Sequence, residues 1–245
     1  MKLIFAFILA IIVAHSAKAQ ITLAKFSESV YICEDRYYAR ENSLVYIGPE
    51  YVTIIGATWC PASAEALRDS IAKITDKPIL EIINTNYHPD RAGGNPYWQS
   101  IGCEIHATEK TNQLMKSDWV SICAFTRRSN PDFPEIPLVL PTRIHNGNFK
   151  LQEGKKEVLY LGSSHTEDGV FVYFPDEKLL YGGCILKSFL GNLEQANLQE
   201  YPETLQKLKK LNLEIVTIIA GHGQPIHDKS LIDQTLKLLE ENTPS

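Results

Sequence analysis

Four short apolar runs in this chain stop abruptly in polar loops that carry glycine. PILEII runs into NTNYHPDRAGGN, EVLYLG into SSHTEDG, KLLYGG into CILKSFLGN, and EIVTIIAG into HGQPIHD. Apolar runs of this length, rich in β-branched residues and closed by turn-forming residues, read as strands. Ligands of α/β folds gather at the carboxyl ends of strands. The pattern therefore predicts four loops, 84–95, 162–168, 183–192 and 220–228, on one edge of the molecule.

The remaining elements fit around those strands. VYICE, SLVYIG and YVTIIGA open the chain as strands, rich in β-branched and aromatic residues. Pro61 then starts PASAEALRDSIAKI, where Ala64, Leu67, Ile71 and Ile74 fall at helical spacing with proline in the first turn. TEKTNQLMKSDWVSICAFTRR is a long helical candidate with Leu114, Trp119, Ile122, Ala124 and Phe125 roughly on one side. NPDFPEIPLVLP holds four prolines and must be extended or turning. After it the theme returns: GVFVYF is a strand, YPETLQKLKKL a helix with Leu205, Leu208 and Leu211 in register, and SLIDQTLKLLEE a closing helix. Two halves of strands, helix, strand and loop can stack sheet on sheet with helices outside. The expected fold is a single-domain α/β, four-layer αββα sandwich.

The first residues, MKLIFAFILAIIVAHSAKAQ, have the three-part layout of a secretory leader: Lys2, an apolar stretch from Leu3 to Ala14, and the small-x-small site Ala17-Lys18-Ala19. About 12 apolar residues are short against the roughly 20 that a membrane span needs. Residues 1–19 are therefore expected to be a signal peptide and residues 20–245 the exported domain, placed in the periplasm. The formal charge of −5 becomes more negative when Lys2 and Lys18 leave. An acidic exported chain is not expected to bind nucleic acid or, once cleaved, a membrane. A monomer is the expected state.

Metal-capable residues concentrate in the four loops: His88 and Asp90 in the first, His165 in the second, Cys184 in the third, His222 and His227 in the fourth. A lone histidine or cysteine after a strand is more often a satisfied structural residue. Together, each at a strand-to-loop junction beside glycine, they point to one site. Zinc accepts imidazole, thiolate and carboxylate, and a catalytic site keeps one position open. Asp90, Cys184 and His222 would supply three such donors. Export permits disulfides, but the five cysteines are odd in number and irregularly spaced. A zinc-bound Cys184 accounts best for a leftover thiol. Cys33 and Cys123 read as small buried residues.

NTNYHPDRAGG, GSSHTEDG, YGGCILK and AGHGQPIHD, in this order and spacing, resemble the metallo-β-lactamases. Asn86, in an Asn-x-His-x-Asp pattern, resembles subclass B2, the mono-zinc carbapenemases of the Aeromonas and Serratia type. The likeness extends through ENSLVYIG, VTIIGATW, KSDWVSICAFTRR, PLVLP, DGVFVYFP, LGNL and YPETLQKLK, nearly all of the mature chain. It implies zinc-dependent hydrolysis of the β-lactam amide, with carbapenems preferred, one zinc per chain, and a small-molecule β-lactam as partner. Asp90, Cys184 and His222 would bind that zinc. His88 and His165 would lie at a second position where extra zinc inhibits, close to the reacting water. Asn86 replaces that position's further ligand. Lys187 would pair with the substrate carboxylate, Asn192 would help hold the substrate, and Trp59 and Phe125 would line the pocket.

That chemistry suits the residue types. His88, or Asp90 itself, can take a proton from water, and Lys187 can hold a carboxylate as a point charge. Three positions depart from the B2 pattern. Pro89 stands where threonine is expected, and it removes an N–H. Gly183 and Gly223 stand where asparagine and aspartate are usual, which resembles the di-zinc subclass B1 and keeps a broader-spectrum enzyme in view. A thioesterase of the same superfamily would keep a His-x-His-x-Asp-His run, which Asn86 and Arg91 interrupt. A non-catalytic zinc-binding protein would need the ligands but not Lys187, Asn192 or an open pocket. TWCPAS has the position of a thioredoxin-like motif, but Ser63 replaces its second cysteine. Cys60 is there the expected reactive free thiol. His106, His145 and His227 lack partners at ligand spacing and are expected in surface or loop roles.

Overall fold

The structure, a computed structural model, describes residues 20–242. The expected leader, 1–19, lies outside the described residues. The first sheet runs β1 (Ile21–Lys25), β2 (Val30–Asp35), β3 (Glu41–Ile47), β4 (Val52–Ile55), β5 (Ile79–Ile83), β6 (Glu104–Thr108) and β7 (Arg143–His145) in spatial order. Its first four strands pair antiparallel, and β4 to β7 pair parallel. The second sheet holds β8 (Phe149–Leu151), β9 (Lys156–Leu159), β10 (Phe171–Phe174), β11 (Leu179–Gly183), β12 (Thr217–Ala220) and β13 (Ile226–His227), antiparallel except for β11 with β12.

The inner faces of the sheets meet in one apolar layer. Ile32, Leu44, Ile55 and Ile83 of the first sheet pack with Val158, Val172, Phe174 and Ile219 of the second. Each outer face is covered by helices. Helix α1 (Pro61–Ile71) and helix α3 (Asn95–Ser100) bury Ala64, Leu67, Ile71 and Trp98 against the first sheet. Helix α5 (Tyr201–Lys210) and helix α6 (Leu231–Asn242) bury Tyr201, Leu205, Leu208, Leu231 and Leu239 against the second. This is the αββα sandwich.

Helix α4 (Glu109–Ser129) starts at Thr108, whose hydroxyl accepts the Thr111 N–H and so satisfies one of the free donors of a helix start. Its buried face carries Met115, Trp119, Ile122 and Cys123, while Ala124, expected on that face, is exposed. Helices α1 and α5 stop sooner than their apolar spacing suggests, and Ile74 and Leu211 are exposed. No helix among the described residues is long and apolar enough to cross a membrane.

Two expectations about single residues are corrected. His106 on β6 and His145 on β7 do have a partner: each other, with Nδ1 of His106 3.0 Å from Nε2 of His145. Their rings stack, and His145 lies on Phe149 at a centroid distance of 3.7 Å. Neighbouring parallel strands brought them together across 39 residues, which sequence spacing does not reveal. Cys60 is only 1% exposed, so it is no accessible thiol. Ser63 has a structural use there, because its hydroxyl accepts the Cys60 N–H at the start of α1. All five cysteines are free and buried.

A buried ion pair ties the sheets together. Lys156 on β9 donates to Glu81 on β5 and to Thr53 on β4. Burial pushes the Glu81 carboxyl up, but the bond and charge of Lys156, with Thr53 and Tyr51, outweigh it and leave it below its usual 4.5. Burial pulls the Lys156 ammonium below its usual range. Breaking a buried pair strands the surviving charge. Lys156→Met is therefore expected to cost about 3–5 kcal/mol in urea denaturation, and adding Glu81→Gln should recover much of it. A lowered carboxyl stabilises above its unfolded-state value and loses that contribution as pH falls through the folded value. Stability below the ordinary glutamate range should therefore fall less steeply in the double variant than in the wild type.

Candidate metal centre

The loop after β5 is held from inside. The side chains of Asn84 and Asn95 exchange amide hydrogen bonds at 2.9 and 2.8 Å, and Asn84 also donates to the Arg91 carbonyl. Asn86 is buried, and its side-chain oxygen accepts the His88 N–H at 3.0 Å. The amide thus fixes the backbone that aims His88. Pro89 opens a one-turn helix, α2 (Pro89–Ala92). At that position an N–H would lack an intrahelical partner anyway, so proline costs no helical hydrogen bond. Gly93 and Gly94 are required by proximity: a Cβ on them would lie 2.0 Å from the Trp59 carbonyl oxygen and 1.9 Å from that of Ala57.

Asp90 on α2 then meets Cys184, just past β11, and His222, just past β12. Oδ2 of Asp90 is 3.4 Å from Sγ of Cys184 and 3.1 Å from Nε2 of His222, and Sγ is 3.4 Å from Nε2. These three form the one cluster of three or more potential metal donors among the described residues. Zinc bonds of about 2.0–2.3 Å at tetrahedral angles put neighbouring donors about 3.3–3.6 Å apart. The observed triangle is close to that spacing, and its carboxylate, thiolate and imidazole are zinc donors. Nδ1 of His222 lies 3.0 Å from the Arg40 carbonyl oxygen. A carbonyl only accepts, so Nδ1 carries a proton, and Nε2 is the nitrogen that faces Asp90 and Cys184 and gives up its own proton when a metal binds.

The residue that makes this triangle possible was missed as a structural element in the sequence. Arg91 is fully buried beneath it. Nε contacts Asp90 at 3.1 Å and Cys184 at 3.2 Å; Nη1 reaches Glu41, the Asn42 carbonyl and the Tyr181 hydroxyl; Nη2 donates to the Gly221 carbonyl at 2.8 Å. Burial opposes ionisation of Asp90 and Cys184, but Arg91 and His222 hold both below their usual ranges. Burial likewise opposes the His222 charge, yet Cys184 and Asp90 raise it to about 9. No local motif marks Glu41 or Tyr181 as partners, because they come from β3 and β11.

His88 and His165 lie beside the triangle with ring centroids 5.7 Å apart. Nε2 of His88 and Nδ1 of His165 are buried without a partner among the described residues. Burial lowers His88 to about 4, against the pull of Asp90, and lowers His165 well below its usual range. Both rings are therefore neutral at neutral pH, the form that accepts a hydrogen bond or ligates a metal.

A cavity of about 330 Å³ opens over these groups, with Trp59, Phe125, Lys187 and Asn192 in its lining. Lys187 is only 3% exposed, and burial pulls its ammonium below the usual range, against Cys184 and Asp90. The Trp59 indole donates to the Ala39 carbonyl, and Asn192 accepts the Glu194 N–H. His227 lies away from the triangle, bonded to the Gln224 carbonyl. Ala39, Arg40 and Phe189, not singled out in the sequence, also line the cavity.

The sequence profile of the Metallo-beta-lactamase superfamily matches residues 39–222, which span the triangle, both histidines and Lys187. The chain belongs to this superfamily. It is 29% identical over 204 residues to "Metallo-beta-lactamase type 2" of Elizabethkingia meningoseptica, covering 82% of this chain and 75% of that one. It is equally identical over 204 residues to metallo-β-lactamase IND-1 of Chryseobacterium indologenes, covering 82% and 78%. Among solved structures it is similar to a metallo-β-lactamase from Pontibacter korlensis, at 26% identity and TM-score 0.77 over 91% of this chain and 100% of that one. VMB-1 gives 25% identity and TM-score 0.79 over 92% and 99%. The superfamily binds zinc, and the donor set here suits that ion.

Arg91→Met leaves the buried carboxylates without their cation. It is expected to lower stability by about 3–5 kcal/mol in chemical denaturation and to reduce the zinc retained after dialysis. Arg91→Lys restores the charge but not the planar fork of donors. It should recover only part of either loss.

Proposed function

We propose that this chain is an exported, zinc-dependent β-lactam hydrolase of the B2 type, with carbapenems preferred and one zinc per chain. The observation that carries the reading is the Asp90, Cys184, His222 triangle beside two neutral histidines, with the Asn86 amide engaged by the His88 backbone. Asn86 offers no imidazole to a second metal position, so that position keeps only His88 and His165. Residues 1–19 are proposed as a signal peptide, the periplasm as the destination, and a monomer as the working state.

Each group has a role in this reading. Asp90, Cys184 and His222 hold the metal. The chemistry that zinc supplies there is Lewis-acid stabilisation of the negative charge developing on the departing amide nitrogen. Lys187 binds the substrate carboxylate as a point charge and so orients the ring over the triangle. Asn192, Trp59 and Phe125 confine the rest of the molecule. His88 and His165 hold the attacking water by hydrogen bonds. Either His88 or Asp90 receives its proton.

A second reading is a broader-spectrum enzyme that works with two zinc ions. It is favoured by the unpartnered Nε2 of His88 and Nδ1 of His165 and by glycine at 183 and 223. Excess zinc separates the two. Under the B2 reading a second equivalent lowers carbapenem turnover; a rise in turnover favours the broader enzyme.

The decisive assay uses protein of residues 20–245 with one zinc equivalent, tested on a carbapenem, a penicillin, a cephalosporin and a thioester. Carbapenem turnover well above the others is the expected result. Metal bound without turnover of any β-lactam would falsify the reading and leave a zinc-binding protein. Cys184→Ser should lose both zinc, measured by elemental analysis, and activity. A variant that keeps its metal and full rate would overturn the ligand assignment.

A further inference from the structure

Lys187 presents an unusual arrangement. It is 3% exposed, yet its ammonium makes no hydrogen bond or ion pair with a described residue. What it meets instead is the ring of Phe189, with Nζ 5.8 Å from the centroid. Phe189 itself is 44% exposed, a large apolar ring at the cavity wall. Two glycines bracket it. A Cβ on Gly191 would lie 3.3 Å from the Lys187 nitrogen and 3.5 Å from Cε2 of Phe189. A Cβ on Gly223 would lie 2.8 Å from Cε1 of Phe189, a separation that forces the ring to move.

We propose that Phe189 is a positioning residue for substrate binding, whose ring holds the Lys187 ammonium toward the cavity, and that it takes this place because residue 223 is glycine. The proposal rests on reading Lys187 as the group that binds the substrate carboxylate. A lysine stem is long and flexible, and an ammonium without a counter-ion tends to seek water. The face of an aromatic ring attracts a cation within about 6 Å, so the ring offers the ammonium a partner that leaves its donors free. The ring also keeps water from one side of the ammonium, which strengthens its attraction for an incoming carboxylate. Gly223 follows the proposed zinc ligand His222 directly. The side chain absent at 223 thus shapes the carboxylate end of the pocket without touching the substrate.

The carboxylate is remote from the bond that breaks. Weaker binding of that carboxylate, with Lys187 still present to orient the ring, therefore weakens ground state and transition state alike, which raises KM and spares kcat. The test compares wild type, Phe189→Leu and Phe189→Tyr, all with equal zinc content. The substrate is the β-lactam that the wild type turns over best, given as the free acid and as its methyl ester. For Phe189→Leu we expect KM for the acid to rise about fivefold, with kcat within about twofold. The ester, which lacks the charge, should show no change. Phe189→Tyr keeps the ring face and should behave as wild type. Gly223→Ala displaces the same ring and also strains a backbone at φ +71°, so at equal zinc content it should raise KM for the acid at least as much as leucine does while leaving the ester unchanged.

An equal KM rise for acid and ester, a fall in kcat at constant KM, or no rescue by tyrosine would overturn the proposal. A purely structural role would lower the melting temperature without separating acid from ester. If the wild type turns over no β-lactam, the functional reading is what fails. Calorimetric binding of the free acid to the same variants then decides the role of Phe189, which is rejected if leucine binds as tightly as phenylalanine.

Discussion

The buried guanidinium of Arg91 is the interaction on which the rest of this structure depends. A charge taken from water costs several kcal/mol unless its donors are met, and here all three nitrogens are engaged. The partners come from both sheets: Glu41 and the Asn42 carbonyl on β3, Tyr181 on β11, and the Gly221 carbonyl just past β12. Meeting them fixes the two sheets against each other at the edge where the four loops emerge. The same positive charge favours the ionised forms of Asp90 and Cys184, and a metal ligand must be deprotonated. One side chain thus serves both the packing of the sandwich and the electrostatics of the metal donors.

Around that centre the backbone is stitched closed. The start of β3 pairs with the loop after β12, through the Asn42 N–H to the Gly221 carbonyl and the Asn42 side chain to the Ala220 carbonyl. On the other flank, Gly93 and Gly94 let α2 press against the Ala57 and Trp59 carbonyls. The pocket above is electrically divided. Asp90 and Cys184 gather negative charge at its floor, while the Lys187 ammonium stands on its wall without an ion pair among the described residues. A metal cation suits the first region and a substrate carboxylate the second, so the cavity is polar in a fixed direction before anything enters it.

Much of this was legible along the chain. Strand and helix periods gave the sandwich, because burying one face of each sheet and one stripe of each helix leaves few arrangements. The strands β1, β6, β7, β8 and β13 were not legible: the last three are very short, and ITLAK and EIHAT hold few β-branched residues and no Phe, Tyr or Trp, so their stability comes from the neighbours they pair with. Asp90, Cys184 and His222 stood out because each lies in a glycine-bearing stretch that follows an apolar run. Glu41 did not, because a charged residue inside a strand looks solvated until both sheets are in place around it. The pairing of His106 with His145 was hidden for the same reason: adjacency across parallel strands leaves no trace in local spacing.

The sequence by itself determined the donors, their chemical types and their order, because residue identity sets what can ligate, titrate or hydrogen-bond. It also determined that Asn86 is not an imidazole, which limits the loop to His88 and Asp90. Only the tertiary structure decided the distances: a triangle of 3.1 to 3.4 Å closed by residues from three separate loops. It also decided the second use of Asn86, which is to hold the His88 backbone, and it made Pro89 harmless by placing it in the first turn of a helix. Distance and burial arise only when distant segments pack. They decide charge state and reach, which the residues leave open in the unfolded chain.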